Sequence, residues 1–413
     1  MEKSCLILQK IFRFFNKIQR FIDKRNKKGY NIGVMDVIYL DHAATTPLDN
    51  EILNKMLPYL TENFGNADSP HALGRKAMNA VDNARDTVAD LIGAKPNEVY
   101  FTAGGTEADN WAVIGGAYAA KERGRTKILI SAIEHHAVLA AAEKLRADGF
   151  DVVQIPVNEG GRVALNTVQA LLDETVGLVA VMAANNETGA VQPVKEIADL
   201  AHKVGAVFFT DCVQAAPYMP IDVKALGADM LSISAHKFYG PKGCGALYIK
   251  NGVKIKGHVV GGEQERGLRG GTTNVAAVVG LAAAYQKTVE TLPQTTEILT
   301  NLRKVFLEEL SVLDGVTVNG NNDGDLPAVL NLRIEGVNNA DFVYSMDLQG
   351  VCVAAGSACA SASIKPSHVL TAMGLTDEEA KECVRISFGK NNTESEVRTA
   401  AKKAVEIINR LRK

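Results

Sequence analysis

Cysteine is scarce in this sequence: Cys5, Cys212, Cys244, Cys352, Cys359 and Cys383 are spread through 413 residues with no C-x-x-C pair. That spacing excludes a disulfide framework and a zinc-ligand set, and it fits reduced thiols in a reducing compartment. An excess of charge is also missing, since 45 Lys and Arg stand against 47 Asp and Glu. With no whole-molecule basic field, direct nucleic-acid binding is not expected and a small substrate is. No apolar run approaches the roughly 20 residues that span a bilayer, and no secretory signal with a small-residue cleavage site is evident, so a cytoplasmic location is expected. Internal repeats are absent, and the only biased segment is the basic N-terminus.

What is there is ordinary for a globular chain, with 46% apolar and 22% charged residues. Its length exceeds what one hydrophobic core usually organises, so two domains are expected. The first 34 residues stand apart, carrying nine Lys or Arg against Glu2 and Asp23, which leaves 36 basic against 45 acidic residues in the rest. Ile7, Ile11, Phe14, Phe15, Ile18 and Ile22 fall at helical spacing, with Lys10, Arg13, Lys17, Arg20 and Lys24 toward another face. The segment therefore reads as a basic amphipathic helix. It suits a membrane-surface helix, a transit peptide, or an extension upstream of a functional start at Met35.

Between residues 98 and 250, short β-rich runs at 98–102, 127–131, 151–155, 176–182, 206–211, 230–234 and 245–249 alternate with helical stretches. That alternation predicts α/β layering around a mostly parallel sheet. The runs are nearly continuous in apolar residues, as strands covered on both faces by helices must be, and their ends are where a site is expected. After residue 290 come a helix at 295–310, a strand at 328–334, a Gly/Ala/Ser stretch at 354–363 and a closing helix after Asn392, the texture of a smaller α+β domain.

Several segments can carry chemistry. Thr102-Ala-Gly-Gly-Thr-Glu107 follows a strand and opens a helix. Its glycines let backbone N–H groups approach an anion, Thr106 adds a hydroxyl, and the helix start adds partial positive charge. Such a turn equally serves geometry alone, and it matches neither G-x-G-x-x-G nor the Walker pattern. Lys237 lies just beyond a buried-looking strand, among Ser234, His236 and a Gly/Pro turn. A lysine so placed can lose its charge and form a Schiff base with an aldehyde cofactor, although most lysines are simply solvated. Asp211 ends a strand, and a carboxylate at that depth needs a cationic partner such as a protonated pyridine nitrogen.

Taken with Ile38-Tyr-Leu-Asp-His-Ala-Ala-Thr-Thr-Pro47, Asn185-Asn-Glu-Thr-Gly189, Glu265-Arg-Gly-Leu-Arg-Gly-Gly-Thr272 and Ala355-Gly-Ser-Ala-Cys-Ala-Ser361, these segments resemble the cysteine desulfurases of the nitrogen-fixation and iron–sulfur-cluster type. That family belongs to class V of the pyridoxal 5′-phosphate (PLP) dependent aminotransferases, and the resemblance covers essentially all of residues 36–413. It implies an α/β protein of PLP-dependent transferase fold type I. A large domain at 49–293 would hold a mostly parallel seven-stranded sheet. Residues 36–48 and 294–413 would form a smaller α+β domain carrying a catalytic cysteine loop, with 1–35 as the N-terminal extension.

The resemblance also implies roles. Lys237 is the Schiff-base lysine, Asp211 the partner of the pyridinium and Gln214 a contact to the ring oxygen. Gly105, Thr106, Ser234 and His236 hold the phosphate, joined by Thr272 of a neighbouring subunit, which implies a homodimer with shared sites. His135 stacks on the cofactor and moves protons, and Asn186 and Arg385 hold the substrate carboxylate, for which a guanidinium fork is suited. Cys359 takes the sulfur of L-cysteine as a persulfide and passes it to an acceptor protein, such as an iron–sulfur scaffold or a tRNA-thiolation enzyme. No metal is expected. The alternatives are an aminotransferase, a selenocysteine lyase and a non-catalytic binding protein of the same fold. Three departures stand out: Gly105 and Cys212 replace alanines, and Asn66-Ala-Asp-Ser-Pro-His71 departs from an Asn-Pro-Ser-Ser run. The first two leave the cofactor geometry intact, whereas the third bears on the active-site entrance.

Overall fold

Alternate residues of the apolar runs must be buried on opposite faces of a sheet, and the computed structural model, which describes residues 37–320, 323–356 and 366–413, shows where each face goes. Its strands in chain order are β1 (Ile38–Tyr39), β2 (Val99–Thr102), β3 (Lys127–Ser131), β4 (Asp151–Ile155), β5 (Val176–Ala180), β6 (Val207–Asp211), β7 (Met230–Ser234), β8 (Gly245–Ile249), β9 (Val316–Asn319), β10 (Val329–Ile334), β11 (Val351–Cys352) and β12 (Cys383–Ser387).

A seven-stranded sheet runs in the order β2-β8-β7-β6-β5-β3-β4. β8 is antiparallel to both neighbours, and every other pairing is parallel. The period of two is visible in β6. Phe208 joins a core with Ile197, Ala198 and Ala201 of helix Val194–Lys203. Its neighbour Phe209 joins a separate core with Trp111, Ala112, Val138 and Leu145 on the other face. Both faces are thus covered, which is why β5, β7 and β8 are buried along their whole length.

The remaining strands form an antiparallel sheet in the order β12-β10-β9 and a parallel pair, β1-β11. Helices Leu292–Leu310 and Glu394–Leu411 contribute Leu302, Phe306, Ala401 and Ile408 to the same core as Leu330 and Leu332 of β10. The closing helix starts with a capping box, in which Glu396 N–H donates to Thr393 Oγ1 at 3.2 Å and Thr393 N–H to Glu396 Oε2 at 2.7 Å. Near residue 293, helix Val275–Glu290 gives way to helix Leu292–Leu310 through the single residue Thr291. Residues 38–413 form one compact unit. The proposed extension at 1–35 and the thiol of Cys359 lie outside the described residues.

Candidate active site

Because β8 reverses direction, β2 runs parallel to β7, and the carboxyl ends of β2, β3, β5, β6 and β7 all open on one side of the sheet. There a cavity of about 780 Å³ is lined by Gly105, Thr106, His135, Asn186, Asp211, Gln214, Ser234, His236, Lys237 and Arg385, along with Ala43–Thr45, Asp109, Lys242 and His258. Strand ends of an open α/β sheet are the general place for ligands, since loops there are free to diverge.

Lys237 closes the single turn Ala235–Lys237 that follows β7. Its Nζ donates to the carbonyls of Ala43 and, at 3.0 Å, Ala44, so the segment before the first helix folds over the lysine. Thr46 secures that cover, with both its N–H and its Oγ1 donating to the His236 carbonyl at 2.9 Å.

Opposite stands a group of buried acids. Asp211, the last residue of β6, accepts from Val213 N–H at 2.7 Å. Burial raises its pKa, opposed by the Val213 N–H and the charge of Lys237. Burial and the charge of Asp211 push Asp109 well up as well, although Ser232 Oγ donates to it at 2.6 Å. Glu134 is pushed up to about 8, chiefly by burial. Desolvation disfavours the charged form of each, and adjacent like charges compound it. Beside them, both amide atoms of Gln214 are buried without a hydrogen-bond partner. Leaving a buried amide unpaired is costly, and the cost is removed by a ligand with polar atoms at that place.

The glycine turn forms a cradle. Gly104 has φ +149°, which a side chain would strain, and a Cβ there would come within 3.9 Å of Ser234 Oγ. A Cβ on Gly245 of β8 would meet the Gly104 backbone at 2.8 Å, so glycine is needed on both sides of this approach. The helical run from Gly105 to Lys121 includes a π-helical stretch, Trp111–Gly115. Its first N–H groups have no intrahelical acceptor, and the hydroxyls of Thr106 and Ser234 flank them.

His135 caps helix His136–Ala147, its Nδ1 accepting from Ala137 N–H at 3.1 Å, so the neutral ring carries its proton on Nε2. Burial, then Lys237, His136 and His368, lower its pKa to about 4. His236 is lowered to about 4 by burial and by Lys237, and its Nδ1 meets Thr45 Oγ1 at 3.1 Å. Arg385 of β12 is 1% exposed. One of its terminal nitrogens pairs with Asp41 Oδ1 at 2.7 Å, another donates to the Asn186 carbonyl at 3.0 Å, and Nε is buried without a partner. Asn186 and Arg385 thus meet through the Asn186 backbone at the cavity wall.

Thr272 is exposed and does not line its own chain's cavity. Residues 66–71 do not line it either. They form a turn, with Asn66 Oδ1 accepting from Asp68 N–H and His71 Nδ1 capping helix Ala72–Leu91 through Gly74 N–H at 3.2 Å. Lys242 and His258 reach the cavity from loops whose sequence carries no signal for it.

The cavity thus combines a lysine under a backbone cover, a buried carboxylate in want of a cation, an unpaired amide, and a glycine cradle beside two hydroxyls. This donor set fits PLP: an aldehyde for Lys237, a pyridinium for Asp211, a ring oxygen for Gln214 and a phosphate for the cradle. Fold and site define a PLP-dependent enzyme of fold type I.

The chain belongs to the aminotransferase class-V family, which it matches over residues 38–399, and within it to the cysteine desulfurases. A protein of Bacillus subtilis (strain 168) described as putative cysteine desulfurase IscS 1 is 46% identical over 381 residues, covering 91% of this chain and all of that one. A solved structure described as a NifS-like protein superposes with a TM-score of 0.85 at 35% identity, covering 90% of this chain and 99% of that one. Another, SspA in complex with cysteine, gives a TM-score of 0.77 at 33% identity over 86% of this chain and the whole of that one.

Proposed function

We propose that this site takes the sulfur from L-cysteine, with Lys237 holding PLP and Cys359 receiving the sulfur as a persulfide. The convergence of Lys237, Asp211, Gln214 and His135 on one cavity, with Arg385 at its wall, carries the reading. A related fold, SspA, is described in complex with cysteine.

When bound, PLP supplies a sink for the electron pair released as the substrate Cα–H bond breaks. Asp211 keeps a proton on the ring nitrogen, and Gln214 gives its amide to the ring oxygen. Lys237 would hold the cofactor through its aldehyde and, once displaced by the substrate amine, would take the Cα proton. Neutral His135 offers its Nε2–H over the cavity and exchanges protons there. Arg385 orients the substrate carboxylate. The Cys359 thiolate forms a bond to the substrate sulfur as the carbon–sulfur bond breaks, and reprotonation of the carbon skeleton gives L-alanine.

The other described thiols are poor candidates for this attack. Burial raises Cys212 strongly, Cys244 to about 12, Cys383 to about 11 and Cys352 to a lesser extent, and none of them lines the cavity. The persulfide then passes to an acceptor protein of iron–sulfur assembly or of thiolation. Two chains share sites through Thr272, residues 49–293 serve as the large domain, and the cytoplasm is the expected location. No helix among the described residues is long and apolar enough to cross a membrane.

Cys359→Ser tests the reading. The variant is expected to keep the cofactor absorbance and its change on adding cysteine, while alanine and sulfide formation fall at least about 100-fold. Turnover at the unaltered rate would remove Cys359 from the mechanism, and amino-group exchange with a keto acid in place of alanine formation would mark an aminotransferase.

A further inference from the structure

We propose that Arg269 is a positioning residue for the cofactor's phosphate, cancelling the charge of Glu107 and holding its carboxylate against the glycine turn; this rests on the reading of that turn as the phosphate cradle. Glu107 lines the same cavity as Gly105 and Thr106. Its Oε2 accepts from Ala103 N–H at 2.8 Å, so the carboxylate folds back onto the residue that leads into the glycines. A bare carboxylate there opposes a phosphate, because like charges repel most strongly where water is excluded.

Arg269 answers that charge with both prongs of its guanidinium. Nε donates to Glu107 Oε1 at 2.7 Å and a terminal nitrogen donates to Oε2 at 3.1 Å, a bidentate pair with both side chains largely buried. The arginine does not itself line the cavity. Its backbone is held by the loop that brings His258 to the cavity: His258 N–H donates to the Leu268 carbonyl at 3.0 Å and Gly270 N–H to the Val259 carbonyl at 2.9 Å. His258 in turn stacks beside Trp111, their ring centroids 6.4 Å apart.

Among the carboxyl groups that line the cavity, Glu107 behaves differently from its neighbours. Burial raises Asp109 and Asp211. Burial also acts to raise Glu107, but the bonds from Arg269 and the Ala103 N–H, with the charges of Arg269 and His258, outweigh it and hold the group below its ordinary value. Glu107 is therefore ionised at neutral pH, where His236 at the same cradle is neutral. A phosphate monoester carries a charge of about −1.5 to −2 at that pH. Losing Arg269 sets the Glu107 charge free beside the incoming phosphate and leaves the contacts of Lys237, Asp211 and Gln214 untouched.

The test titrates the full chain, freed of cofactor, with PLP and with pyridoxal, which lacks the phosphate, following the absorbance of the bound aldehyde. Arg269→Ala is expected to weaken PLP binding about 10-fold or more and pyridoxal binding by less than about twofold. Adding Glu107→Gln to Arg269→Ala should return PLP affinity to within about threefold of the unaltered protein, since the charge to be cancelled is gone. Glu107→Gln alone, which keeps a polar group on the Ala103 N–H, should bind PLP at least as tightly as the unaltered protein. Equal losses for the two ligands in Arg269→Ala would mark the arginine as a strut of the fold and overturn the proposal. So would a double variant that binds PLP no better than Arg269→Ala, or a 10-fold loss of PLP affinity in Glu107→Gln. Full PLP affinity in Arg269→Ala would sink the role of the pair and leave the cradle reading standing. Unaltered protein that binds PLP no better than pyridoxal would sink the cradle reading itself, and the proposal with it.

Discussion

At the scale of the residue, Asp211 shows how function is set against stability. Burial raises its carboxyl to about 6, so the cofactor-free fold holds it protonated only below that pH. A group raised in this way adds stability that is complete below its usual pKa and is lost as the pH climbs through its folded value. Above that value, the cofactor-free protein carries a buried anion whose designated partner is the ring nitrogen of PLP. Asp211→Asn is therefore expected to raise the Tm of cofactor-free protein at pH 7 and to change it little near pH 4, while weakening PLP binding by a factor of about 10 or more. Thermal unfolding across that pH range and an absorbance titration with PLP measure the two effects, and a lower Tm at pH 7 would contradict the account. Asp211 and Lys237 were legible in the sequence because each ends or follows an apolar run where a charge is out of place. Lys242 and His258 were not, since they reach the cavity from loops that only the folded chain brings to it.

Among the elements, the short turn Gln264–Gly267 holds two of the three non-glycine residues with positive φ among the described residues. Glu265 and Arg266 adopt φ of +45° and +60°, which non-glycine residues avoid. Arg85 holds the turn through two 2.8 Å bonds to the Glu265 carboxylate, which also accepts from Phe101 N–H at 3.1 Å. Arg266 lies over the Tyr100 ring, 4.6 Å from its centroid. Glu265→Ala leaves Arg85, in a largely buried place, with the Val99 carbonyl but no counter-charge, a loss of about 3–5 kcal/mol by comparison with other broken buried pairs. A Tm lower by several degrees is expected, with partial recovery when Arg85 is also replaced by leucine. An unchanged Tm in the single variant would show that the pair does not hold the turn. Strand positions in the large sheet were read from sequence to within about two residues, because runs buried on both faces are unmistakable. The turn at 264–267 left no such trace: its shape is imposed by an arginine 180 residues earlier.

For the whole molecule, the placement of Thr272 outside its own cavity gives the proposed homodimer a direct consequence. If each site draws Thr272 from the other subunit, Lys237→Ala and Thr272→Ala chains complement each other. In a mixed dimer, one site has an intact Lys237 and receives an intact Thr272. Mixing the two impaired proteins under conditions that exchange subunits is expected to restore up to about a quarter of the unaltered activity. No recovery despite exchange verified by mass spectrometry would mean that Thr272 serves its own chain or none. A mostly parallel seven-stranded sheet is what the family resemblance implied, and the structure has one, with β8 as its antiparallel member. The way β1 closes onto β11 is a tertiary choice, for which a two-residue strand carries no signal of its own.

That closure ties the start of the described chain to its last two strands. Ile38 pairs with Val351, Asp41 with Arg385, and the Ala43 N–H with Ser387 Oγ at 2.9 Å. The backbone lid over Lys237 is thus fastened by residues that the ribosome makes some 340 positions later. A nascent chain can raise the large sheet and tie Thr46 to His236 as it emerges, but Asp41 and Ala43 gain their partners only once β12 has been translated. Maturation with cofactor accordingly belongs at the end of synthesis.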